Sequence, residues 1–160
     1  MSIADRIDDY RIHFGGEAGA EKAEEVVAIW RRTVQEDRAE DEIELAAPFQ
    51  RHFTSRGTGL PANFCLALTP TKALAFKFNP RNSGHPLFVK PRQIGKLAAE
   101  WPREALRVSE VDPGPMSVNV TFEVDSGAGS DSIPCRTPRL AINPAAGVMI
   151  TELGGTLPDS

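Results

Sequence analysis

The sequence predicts an α+β fold that is mainly β: a small antiparallel barrel of about seven short strands. A C-terminal helix closes it and an N-terminal helical extension precedes it. Three observations carry this expectation. Apolar residues recur with period two in several short runs, most clearly over Ser117–Val124, where Val118, Val120, Phe122 and Val124 share one face. Thirteen Gly and thirteen Pro in 160 residues interrupt the chain too often for long helices in its middle. Helical spacing is confined to the first 44 residues and a short run near the end.

Residues 1–44 read as an acidic helical extension. Ser2 can cap a first helix that Gly15–Gly16 stops after Phe14, and a longer helix is expected from Ala20 to Ile43. In the longer one Val26, Ile29, Trp30, Thr33 and Val34 form the apolar stripe. That stripe either docks on the core or presents Val26, Ile29 and Trp30 to a protein partner. Residues 45–63 read as a linker broken by Pro48, Gly57, Gly59 and Pro61, with Phe49 and Phe53 pinning part of it.

The β domain is expected over 64–155. It opens with the hairpin Phe64–Phe78, turning at Thr69–Pro70–Thr71–Lys72. Phe64, Leu66 and Leu68 are expected on one face together with Leu74, Phe76 and Phe78. Cys65, Ala67, Ala73, Ala75 and Lys77 then take the other face. After a turn-rich loop, Leu87–Lys90 is a short edge candidate between Pro86 and Pro91. Gly95–Trp101, Ala105–Val111, Ser117–Val124 and Ile133–Thr137 follow, with Pro134 putting the last at an edge. Asn143 and Pro144 start a helix that runs to Leu153 before Gly154–Gly155, although Val148–Leu153 also reads as a strand. Residues 156–160 are expected to be a disordered tail.

Composition narrows the function classes. No apolar run approaches the roughly 20 residues that span a bilayer, and the charged N-terminus has no secretory h-region. A cytoplasmic location is the expectation. Cys65 and Cys135 share no CxxC or Cys–His spacing and read as small buried residues kept reduced. His13, His52 and His85 are scattered, so no metal or other cofactor is expected. Phosphate-loop, dinucleotide, GxSxG and deaminase motifs are missing too. The paired acids Asp8–Asp9, Glu24–Glu25 and Glu40–Asp41–Glu42 lie in the most charge-dense stretch and read as solvated faces.

The net charge of −4 hides three blocks: residues 1–44 sum to −7, 45–107 to +8 and 108–160 to −5. Acidic helix and basic sheet can neutralise each other, or the basic block can face an anionic partner. Its candidate site residues are Lys72, Lys77, Arg81, Lys90, Arg92 and Lys96. Set on one face they suit a phosphate, an acidic peptide or a membrane surface. Nucleic acid is disfavoured, because Phe78 and Phe88 are the only aromatics nearby and their neighbours read as core. For an enzyme, Asp112, Glu123, His85 and Arg103 are nominal candidates that match no motif.

The run Leu68–Thr69–Pro70–Thr71–Lys72–Ala73–Leu74–Ala75–Phe76 resembles the L-T-x-x-R-L-L-x-F hairpin of bacterial pleckstrin-homology-like (PH-like) and GRAM-like domains. Lys96–Leu97–Ala98–Ala99–Glu100–Trp101–Pro102–Arg103 is similar to a strand-to-strand corner of such proteins. The resemblance covers residues 64–153 and implies seven strands in two near-orthogonal sheets, with a helix closing an open corner. It also implies a non-catalytic interaction domain, since family members bind phosphoinositides or peptides. The lipid-binding members gather cations around the first hairpin loop. Here that loop offers Lys72, with Lys77 nearby, and the K-x(n)-(K/R)-x-R pattern is not present.

Overall fold

The computed structural model describes residues 17–37, 40–52, 60–78, 94–114, 117–127, 129–138 and 144–157. Helix α1 (Glu17–Asp37) leads into strands β1 (Leu45–Arg51), β2 (Asn63–Leu68), β3 (Lys72–Lys77) and β4 (Leu97–Pro102). A 3-10 turn at Arg103–Ala105 passes to β5 (Leu106–Pro113), β6 (Ser117–Ser126) and β7 (Gly129–Pro138), and helix α2 (Pro144–Glu152) follows. The seven strands form one antiparallel sheet in the order β4-β3-β2-β1-β7-β6-β5.

Connectivity dictates the sheet's shape. Its two edges, β4 and β5, are joined by only the three residues of the 3-10 turn. In a flat sheet those edges would lie roughly 29 Å apart at about 4.8 Å per strand, whereas three residues span at most about 10 Å. The sheet is therefore curled until its edges meet at that corner. No ladder joins β4 to β5, so it is an unclosed barrel.

The stretch expected as a linker supplies a central strand. β1 pairs with β2 from Leu45↔Leu68 to Gln50↔Asn63 but with β7 only at Gln50↔Arg136 and Arg51↔Cys135. Extending that register would set Pro48 against Pro138, and neither has an N–H to give. The ladder stops there, and the Thr137 hydroxyl donates to the Pro48 carbonyl at 2.9 Å instead. The strand count matches the expectation with different membership, because β1 is a member and the Leu87–Lys90 candidate lies outside the described residues.

The hairpin faces also differ from expectation. Phe64 pairs with Lys77, Leu66 with Ala75 and Leu68 with Ala73, while Phe76 meets Cys65 and Leu74 meets Ala67. The large apolar residues of the two arms thus lie on opposite faces, Leu66, Leu68, Leu74 and Phe76 each beside a small one and Phe64 beside Lys77. The cause is parity. Thr69 N donates to Lys72 O at 2.9 Å, leaving a two-residue loop that pairs even positions with odd ones. Both faces of this hairpin consequently need cover.

One face lines the barrel interior, where Phe49 stacks on Phe64 at 6.1 Å and meets Phe122 edge-on at 5.0 Å. On the other face, α1 brings Trp30 edge-on to Phe78 at 5.3 Å. Val26 and Trp30 are buried in the protein's own core and Ile29 is half-buried, so the stripe considered for a protein partner is occupied internally. The helix ends at Asp37, earlier than expected. Gln35 secures the reversal by accepting the Ile43 N–H at 2.6 Å and donating to the Asp41 carbonyl at 3.0 Å.

α2 settles the strand alternative at 148–153 in favour of helix. Every residue from Pro144 to Ile150 is buried, as suits a helix packed against both α1 and β1. Gly154, at φ +88°, ends it by adopting the left-handed region that favours glycine. Gly155 N then donates to Ile150 O at 2.8 Å and Gly154 N to Thr151 O at 3.0 Å. Val108 N donates to Leu153 O at 2.9 Å, tying this end to the β5 edge. The Asn143 cap and the first N-terminal helix lie outside the described residues.

Candidate anion site at the β3–β4 bulge

Most described cations of the basic block are taken up internally. Arg103, in the corner, donates to Glu44 Oε2 at 2.9 Å, to Glu152 Oε1 at 2.9 Å and to Thr69 O at 2.8 Å. One guanidinium thus joins the start of β1, the hairpin turn and the end of α2. Lys72 lies 3.2 Å from Glu100 and 4.0 Å from Asp41. Arg107 donates to Asp125 at 2.7 Å and to Glu123, and Arg51 donates to the Leu60 carbonyl at 3.1 Å. Asp41 and Glu44 come from the acidic first block, so part of the charge segregation is neutralised within the fold.

Lys77 and Lys96 are the exception. Both are exposed, and among the described residues neither meets a carboxylate within ion-pair distance. The backbone puts them face to face. Gly95 N donates to Lys77 O at 2.7 Å while Lys77 N donates to Lys96 O at 2.9 Å, so two residues of one segment oppose one of the other. That is a β-bulge, a device that re-aims side chains at sheet edges. Glycine is required there, since a Cβ at Gly95 would lie 2.8 Å from both the Cβ and the carbonyl oxygen of Lys77. Asp37 stands close by but accepts the Ile94 N–H at 3.4 Å.

Of the six candidate site residues, the structure brings Lys77 and Lys96 together. Lys72 is at the far end of β3, roughly 16 Å along the strand from Lys77, and is already paired. Arg81, Lys90 and Arg92 lie outside the described residues. Gly95 was the missed member. Its signal was a glycine opening a strand candidate, which marks a bulge or a close backbone approach.

The nominal catalytic set does not converge. Asp112 pairs across from Asn119 and Glu123 from Arg107, which puts the two acids roughly 13 Å apart along the sheet. Arg103 is held in the corner, and His85 lies outside the described residues. His52 contacts Asn119 Oδ1 at 3.3 Å. The barrel interior, lined by Leu60, Phe64, Leu66, Trp101, Phe122 and Ile133, leaves a void of about 10 Å³. Ligand pockets run to roughly 300–1,000 Å³, so this interior void is too small to hold a ligand. Cys65 and Cys135 are both buried, and burial pushes their thiols up, Cys135 to about 12, which leaves them protonated and poor nucleophiles.

Among the described residues no group of three metal-ligating side chains forms and no helix is long and apolar enough to cross a membrane. No family model matches the chain, and neither does any curated protein.

Proposed function

We propose that the protein is a non-catalytic interaction domain of PH-like architecture that recognises an anionic partner at Lys77 and Lys96. The observation that carries this reading is the pair of exposed lysines that, among the described residues, meet no carboxylate across the Gly95 bulge. Support for the PH-like part comes from the seven-stranded antiparallel order and the terminal helix. A reducing, cytoplasmic setting agrees with two buried free thiols, and one of them, Cys65, pairs across from Phe76 on the face away from the interior.

A membrane surface is the weaker partner. Two cations contribute only about 2 kcal/mol at an anionic leaflet, and the net charge of −4 opposes approach. Titration of ¹⁵N-labelled protein with hexaglutamate at low salt tests the reading. Amide shifts should centre on Lys77, Gly95 and Lys96, survive Lys72→Glu, and vanish in the Lys77→Glu/Lys96→Glu variant. Shifts that persist in the double variant would sink the proposal, and binding only to phosphatidylserine vesicles would favour the membrane instead.

A further inference from the structure

Resting on that reading, we infer that the anionic partner is an extended protein segment that adds as a strand along β4, with its carboxylates at Lys96 and Lys77. β4 is one edge of the sheet, and none of its six residues is buried. The ladder fixes which backbone groups this edge leaves open. Arg103 N donates to Thr71 O at 2.9 Å, and the same register sets Trp101 against Ala73 and Ala99 against Ala75. Hydrogen-bonded pairs alternate with non-bonded ones along an antiparallel ladder, so Glu100 turns both its N–H and its C=O outward. Ala99 N bonds inward, and its peptide plane therefore turns the Ala98 carbonyl outward too. Among the described residues no strand lies on that side to receive these groups.

The other edge, β5, is guarded. Its Val108 N–H is given to the Leu153 carbonyl at 2.9 Å, and Pro113 has none to give. Open edge groups are a template for an added strand. On β4 the register shift at Ala75/Phe76 bounds them at one end and Pro102 at the other, which restricts the edge to a short segment. Charge selects that segment. Lys96 lies four residues before Glu100, about 13 Å along the edge, with Lys77 behind it across the Gly95 bulge. Added antiparallel, like every ladder of this sheet, the segment carries its acids four residues after the one paired with Glu100. A free phosphate or a lipid headgroup has no backbone to offer and would leave the Glu100 groups open.

The test titrates two end-blocked peptides of equal charge into the ¹⁵N-labelled full chain. One is Thr-Val-Thr-Val-Thr-Glu-Glu, and the other is the same sequence N-methylated at its first valine, the residue placed opposite Glu100. The unmethylated peptide should shift Lys77 and Lys96 and slow amide exchange at Glu100. Methylation should weaken binding about fivefold, as loss of one backbone hydrogen bond predicts. Equal affinities or unchanged Glu100 exchange, with shifts still at the lysines, would overturn strand addition and leave the anion site standing. Silence at Lys77 and Lys96 with both peptides would overturn the site itself. Slowed exchange at Glu100 that grows with protein concentration alone would give the edge to a second copy of the chain and overturn the acidic segment as its occupant. Each readout uses the wild-type chain, so a folding defect cannot obscure it.

Discussion

β1, β2 and β3 are buried along nearly their whole length, whereas β6 buries alternate residues from Val118 to Val124 and β5 buries only Leu106 and Val108. The two halves of the sheet are built from similar antiparallel meanders and share one interior, bridged by Phe49 on Phe122. They differ in what lies outside. Over the first half α1 and α2 form a second layer against β1, and on the outward face there Ala46, Cys65 and Ala67 are small and fully buried. Over the second half Arg107, Glu123 and Asp125 face solvent and pair with one another. An amphipathic sheet and a two-faced sheet thus coexist in one continuous ladder, and the helix decides which is which.

The comparison can be broken most forcefully at the layer itself. Trp30→Ala should cost about 3–5 kcal/mol, since a fully buried indole leaves a cavity against Phe78; a urea midpoint unchanged from wild type would mean that α1 is not part of the core. Next comes the corner. Arg103→Met should cost about 1.5–3 kcal/mol, because Glu44 and Glu152 lose their shared partner, and thermal melting reads the loss. A matched pair then contrasts the halves. Ala67→Leu, under the helix, should cost about 1–3 kcal/mol, while Thr121→Leu on the opposite half should stay within about 0.5 kcal/mol. Equal effects would erase the distinction between the two halves.

The last effect is alkaline. Burial raises both thiols above the ordinary value of 9.0, Cys135 to about 12 and Cys65 beyond it. The folded state therefore keeps protons that the unfolded chain releases above pH 9, and stability falls as pH rises from there. Each thiol adds a slope of up to about 1.4 kcal/mol per pH unit. Urea titrations between pH 8 and 10.5 should show a flatter decline in Cys65→Ala and in Cys135→Ala. A decline as steep in both variants as in wild type would count against the buried thiols as its source.

What the sequence disclosed follows from these two halves. β6 was legible because one face is wet, so Val118 to Val124 alternate with polar residues. β1 was hidden because a strand covered on both faces shows no alternation, and Pro48 reads as a breaker unless its missing N–H falls where a ladder ends. The hairpin's position was evident, but the facing of Leu74 and Phe76 hinged on the number of residues in the turn. At the site, the sequence singled out the cations without telling which were already bound. Lys72 and Arg103 meet acids from distant segments, and only the assembled fold separates them from Lys77 and Lys96.

The corner between β4 and β5 also bears on how the molecule folds. Because it joins the sheet's edges through adjacent residues, every strand pair but one can form from sequence neighbours. The exception is β1 on β7, where Gln50 and Arg136 are 86 residues apart. Loop closure over that distance is slow relative to hairpin formation, so the two meanders are expected to assemble first and their junction last. Thr137→Ala, which removes the hydroxyl held by Pro48, should speed unfolding and leave the folding rate nearly unchanged. Wedged beside two prolines, the final join of this barrel is the one its backbone is least equipped to lengthen.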